Sequence, residues 1–135
     1  MTAKEYLSQA WPVKIQLEAM AEQLEFLKSA VEYINPRSSG LPKPSRNIHR
    51  FEDACVKAMD LENRIKERLG KLSEINETIN NVSSPVSQAI LVKRYLVHNT
   101  WDEIASTLCV SRSHVIRLHI EALAEVENLI RNETV

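Results

Sequence analysis

Two long runs of apolar residues, spaced alternately three and four apart, constrain this chain more than any other feature. The first is Ala10, Val13, Leu17, Met20, Leu24, Leu27, Val31 and Ile34. The second is Phe51, Ala54, Ala58, Leu61, Ile65, Leu72, Ile75, Ile79 and Val82, broken at Arg68, where the adjacent Leu69 is expected to fill the gap. Such steps average 3.5 residues and keep a narrow stripe on one side of an α-helix, a coiled-coil-like seam rather than a broad globular face. At 1.5 Å per residue the first seam spans about 36 Å.

The ends of these helices carry their own signals. Thr2 with Glu5 three residues on reads as a capping box, which satisfies backbone N–H groups at a helix start. Pro12 predicts a kink or a restart in the first turns. Pro36 disfavours a helical residue before it, so the first helix ends ahead of it. Residues 35–44 hold three prolines and a glycine and read as a linker, with the second helix beginning near Ser45. Between Pro36 and Arg50 stand Arg37, Lys43, Arg46 and Arg50 with no acid, a charge of +4. That stretch could touch a phosphate backbone, although a solvated tip is the commoner outcome for such a run.

Two seams joined in this way fold back most simply as an antiparallel helical hairpin, here residues 1–83 with the linker at 35–45. A two-helix hairpin buries one stripe per helix, which is thin for independent stability. A second copy of the chain or the C-terminal segment is therefore expected to cover it. Leu7, Trp11 and Ile15 form a further stripe at i, i+4, i+8. It fits a docking face and core packing against the last third equally well.

Composition narrows the chemistry. The chain's two glycines, Gly40 and Gly70, lie thirty apart and exclude a glycine-rich phosphate loop or a dinucleotide fingerprint. Two cysteines, Cys55 and Cys109, make neither a four-thiolate zinc site nor a disulfide framework. No segment reaches the ~18 uninterrupted apolar residues of a membrane span, and the N-terminus carries an acid early without an apolar signal core. The expectation is a cytoplasmic protein with reduced thiols. His114 and His119 are five apart rather than the four that align two metal ligands on a helix. Cys109 lies near His114 without an evident orienting acid, and Glu18, Glu22 and Glu25 form a solvated face. No catalytic group, cofactor or metal is expected, and hence no enzyme.

The functional signal lies in the last third. Ser84 as N-cap with Pro85 at the first helical position opens a C-terminal domain, residues 84–135, of three helical stretches. Thr100 with Glu103 reads as a second capping box for a short helix through Leu108. A tight turn at Cys109 and Val110 follows, then Ser111 as a cap, with Val110 and Val115 placed as a hydrophobic staple. Ile104, Ala105, Leu108, Val110, Val115 and Leu118 would build a small core between the two helices, the small Ala105 letting them cross closely. That is a helix-turn-helix pattern, in which the second helix enters the DNA major groove, although some helical domains use it for packing alone.

Rotation by ~100° per residue sorts the second helix. Val115, Leu118, His119 and Ala122 fall inward, and Ser113, Ile116, Arg117, Ile120 and Glu121 outward. Arg112, Ser113 and His114 form its first turn, where base edges are usually met. Arg117 suits guanine, Ser113 several bases and Ile116 a thymine methyl, while Lys93 and Arg94 on the preceding helix suit backbone phosphates. His119 reads as a packed, hydrogen-bonded histidine. Cys109 stands where such turns usually carry glycine, a departure that costs roughly 1 kcal/mol in a left-handed conformation.

Arg94-Tyr95-Leu96, Thr100-Trp101-Asp102-Glu103-Ile104-Ala105, Ser111-Arg112 and Arg117-Leu118-His119 with Ala122-Leu123 resemble the ArpU-like regulators of phages and prophages. The C-terminal half of that family is similar to region 4 of bacterial sigma factors. Lys4-Glu5-Tyr6-Leu7 with Gln9-Ala10, and Glu52-Asp53-Ala54 with Val56-Lys57 and Asp60-Leu61-Glu62, are similar to the same family's helical hairpin. Pro12 and Cys109 depart from its usual pattern. The resemblance implies transcription regulation in phage or mobile-element gene expression, with Ser111, Arg112, Ser113, His114 and Arg117 as reading residues.

The expectation is thus an all-α protein: an N-terminal antiparallel hairpin, then a three-helix domain with a helix-turn-helix. It would bind double-stranded DNA in sequence-specific regulation, with the hairpin forming a homodimer or contacting RNA polymerase. The alternative is a phage packaging or assembly protein resembling a small terminase subunit, in which the helix-turn-helix commonly precedes the oligomerisation helices; here it follows. Near-neutral charge does not oppose DNA binding. The net charge of −1 divides into −2 over residues 1–35, +4 over 36–50, −2 over 51–83 and −1 over 84–135, with residues 84–120 at +2.

Overall fold

The computed structural model describes residues 1–34 and 45–133. Among them the chain is entirely helical: α1 (Ala3–Ser8), α2 (Ala10–Ile34), α3 (Ser45–Asn80), α4 (Pro85–Leu91), a π turn (Val92–Leu96), α5 (Trp101–Leu108) and α6 (Arg112–Glu133). Arg37 and Lys43 of the basic stretch, and the linker itself, lie outside the described residues. No helix of the described residues is long and apolar enough to cross a membrane.

The termini follow the local chemistry. Thr2 accepts from the Glu5 N–H while the Glu5 carboxylate accepts from the Thr2 N–H, so the first capping box is complete. Pro12 shows itself as a restart: α1 ends at Ser8, Gln9 caps it and α2 begins at Ala10, with proline in its first turn where its missing N–H is tolerated. Ser84 caps α4 with Pro85 following it. The end of α3 is closed from outside the helix, since the Gln88 amide donates to the carbonyls of Asn80 and Val82.

Two compact units emerge, and their bounds differ from a division at residue 83. One comprises Met1–Lys14 with Gly70–Val135, the other Ile15–Leu69. The reason is burial. Tyr6, Leu7 and Ala10 join Ile75, Ile79, Val82, Leu91, Ala122 and Val126 in one apolar core. Its polar members are satisfied: the Tyr6 and Thr78 hydroxyls lie 3.2 Å apart, and Thr78 donates to the Glu74 carbonyl. Leu7 is fully buried there and Trp11 half-buried, whereas Ile15 is exposed. Of this stripe Leu7 is core packing, whereas Trp11 lies outside that core.

Unit 15–69 is the hairpin. Gln16 and Met20 of α2 share a groove with Arg68, Arg64 and Leu61 of α3, so earlier residues of one leg face later residues of the other. Lys28 pairs with Glu62 at 3.6 Å. Met20 and Leu61 are buried, while Leu17, Leu24, Leu27, Ala54, Ala58 and Ile65 are half-buried, the thin seam expected of two helices. Leu69 does not fill the break at Arg68: it stands 53% exposed, because one residue further along the helix turns it ~100° off the seam.

Candidate nucleic-acid interface

The second core holds the helix-turn-helix together. Ile104, Ala105 and Val115 are buried with Ile90 of α4, and Trp101, Leu108, Val110 and Leu118 pack around them. Ile90 went unread in the sequence because it belongs to a separate helix with no fixed spacing to the other six. Thr100 accepts from the Glu103 N–H as expected, but the reciprocal half of that box is not formed. The Glu103 carboxylate accepts a hydrogen bond from the Thr100 hydroxyl instead. The Ser111 hydroxyl accepts from the His114 N–H and caps α6.

The turn between α5 and α6 is a Schellman motif. Val110 N–H bonds the Ala105 carbonyl at 3.1 Å and Cys109 N–H bonds Ser106 at 3.3 Å. Cys109 sits at φ 57°, ψ 40°, the left-handed position that favours glycine. Cys109 is exposed, a free thiol at the surface of the turn.

Beyond this turn α6 divides as its rotation predicts. Val115, His119 and Ala122 are buried, while Ser113, Arg117, Ile120 and Glu121 are exposed and Ile116 is half-buried. Ser111, Ser113, His114 and Arg117 line one open groove with Val110, and no acid is among the lining side chains. The Arg117 guanidinium hydrogen-bonds His114 Nδ1, which ties the two into a single polar edge. Arg112 lies outside the groove and pairs with Asp102 across the turn at 3.9 Å.

The two cations of the preceding segment separate. Lys93 and Arg94 lie in the π turn rather than a continuous α-helix, where Val97 N–H reaches back to the Val92 carbonyl. The Arg94 guanidinium lies 4.3 Å from the Trp101 ring centre and donates to the Asn99 carbonyl at 3.0 Å.

His119 is the packed histidine of the sequence reading. Its ring meets the Trp101 edge at 4.6 Å and stacks near Tyr95. Burial, with the Arg94 and Lys4 charges adding to it, lowers its pKa to about 4. Sequence reasoning also missed what the acidic end of α6 does. Glu127 accepts the Ala3 N–H at 2.8 Å and Glu125 the Ser83 N–H at 2.7 Å, so two carboxylates satisfy backbone donors far along the chain. No group of three or more His, Cys, Asp or Glu suited to a metal occurs among the described residues.

These features define an all-α protein with a helix-turn-helix on its C-terminal side. Residues 49–127, more than half of the chain, match the family described as protein of unknown function (DUF1492), and the chain belongs to that family. No curated protein and no solved structure matches it.

Proposed function

We propose that this protein binds double-stranded DNA through the outward face of α6 and regulates transcription. The observation that carries the reading is the groove at the start of α6. There two serines, a histidine and an arginine stand together without an acid, at the end of a helix held by its own turn and cap. Arg117 supplies a donor fork for guanine O6 and N7, and Ser113 a hydroxyl for several bases. Ile116 and Arg112 flank them, the first facing a thymine methyl and the second a phosphate. Lys93 serves a backbone phosphate, whereas Arg94 lines a separate cleft against Trp101.

The resemblance to ArpU-like regulators supports the same reading and gives it a phage or prophage setting. The hairpin's half-buried seam supports a second copy of the chain as its partner. Chemistry at the site is recognition only, with no catalytic step, cofactor or metal.

Selection from random duplexes with a sequencing readout tests the proposal. An enriched motif that disappears in Arg117→Ala supports it. Binding that is uniform across sequences and strongly salt-dependent favours a packaging or assembly role instead. Absence of any duplex binding overturns both.

A further inference from the structure

The α6 groove is not the molecule's most enclosed feature. A cleft of about 300 Å³ opens at the first compact unit, walled by Trp11, Tyr95, His98 and Trp101. Lys4 and Arg94 add two cations, and no carboxylate lies among the lining side chains. Lys14 stands 5.0 Å from the Trp11 ring centre and adds a third positive charge nearby.

Two departures from regular backbone converge on this cleft. The π turn sets Arg94 and Tyr95 into its wall. His98 adopts φ 66°, which L side chains rarely do, and in that conformation lies nearly parallel to Trp11, ring centres 4.4 Å apart and planes at 13°. π turns and left-handed non-glycine residues concentrate at functional sites, where the surroundings hold a strained geometry in place. The Arg94 guanidinium gives one N–H to Asn99 while stacked on Trp101. A guanidinium carries five such donors in a planar fork that matches a carboxylate. The volume lies at the small end of ligand sites and suits a single-ring molecule.

We propose that this cleft binds a small planar aromatic anion, its ring among Trp11, His98 and Trp101 and its carboxylate on Arg94 and Lys4. The proposal goes beyond DNA recognition and does not depend on it, since its test uses the protein alone. The chain has two tryptophans and both line the cleft. Their indole N–H signals in a proton–nitrogen correlation spectrum of the full chain therefore report on it directly.

Titration with benzoate, salicylate and nicotinate is expected to shift both signals saturably for at least one of the three. Benzamide, which lacks the charge, and cyclohexanecarboxylate, which lacks the aromatic ring, are expected to bind that site about tenfold more weakly or worse. Lys4→Gln alters an exposed side chain and should weaken the best anion about threefold, as expected for a partly solvated charge. Arg94→Lys keeps the charge but removes the fork and should weaken it about tenfold. The proposal is overturned if none of the three anions shifts the signals saturably. It is equally overturned if the charge-free and ring-free analogues bind as well, or if Lys4→Gln binds like the parent protein.

Discussion

The Tyr95 hydroxyl and His119 Nε2 lie 2.7 Å apart, joining the π turn to the inner face of α6 in a buried hydrogen bond. Burial raises the Tyr95 pKa and lowers that of His119, so both groups are neutral in the folded protein near pH 7. The bond fixes how the first turns of α6 are presented. Burial of His119 makes the fold sensitive to acid.

The His119 pKa of about 4 against an ordinary 6.5 sets the sign of that sensitivity. In the unfolded chain the imidazole takes up a proton near 6.5, while the folded protein resists it until about 4. The unfolded state binds more protons throughout that window, so stability is full above 6.5, declines as pH falls, and levels below 4. The loss is on the order of 3 kcal/mol. Urea midpoints measured between about pH 4 and about pH 7 should fall with acid, and His119→Gln should flatten the dependence.

Cys109 carries the left-handed strain of the turn, at φ 57°. Cys109→Gly removes it and is expected to raise stability by about 1 kcal/mol, partly offset by the greater freedom of glycine in the unfolded chain. Cys109→Val, β-branched at the same φ, should lower stability by more than that. Chemical denaturation of the two variants beside the parent gives both values; a destabilised glycine variant contradicts the strain assignment.

Leu7 is fully buried in a core built mostly from residues beyond 75. Leu7→Ala should therefore cost about 2–5 kcal/mol in the unfolding of the unit that carries the helix-turn-helix. Trp101 fluorescence, read in a Trp11→Phe background, reports that unit during denaturation. An unchanged midpoint means that the opening helix does not contribute to this core.

Asp102 sits 3.9 Å from Arg112, with both side chains largely exposed. Asp102→Asn should leave stability within about 1 kcal/mol, as surface ion pairs do. If α6 meets DNA, the same change releases Arg112 and removes a repelling charge. Duplex affinity should then rise, and the dependence of log affinity on log salt should steepen by about one phosphate contact. A drop in affinity would assign Arg112 a role that depends on its acid partner.

Much of this was legible locally. The three-four spacing of Val13 to Val31 and Phe51 to Val82, the caps at Thr2, Ser84 and Ser111, and the staple of Val110 with Val115 are short-range patterns, each set by residues within one or two turns. The outward face of Ser113, Arg117 and Ile120 follows from the same periodicity. The second capping box failed at Glu103 because a carboxylate beside a hydroxyl has two donors to choose between, and spacing alone does not decide which. Leu69 failed for a related reason: adjacency in sequence is not adjacency on a helix face.

By itself, then, the sequence determined the helices, most of their ends, the place of the turn at Cys109 and the division of α6 into two faces. All of these are fixed by steric and hydrogen-bonding preferences within a few residues. Only the tertiary structure decided that Leu7 belongs to the core of the C-terminal helices, that Glu127 caps α1, and that His98 stacks on Trp11. It also set Arg94 against Trp101 in the wall of an aromatic cleft. Each of these joins residues far apart in the chain, chosen because burying apolar surface and satisfying buried donors together favour one arrangement, and no local pattern records that choice.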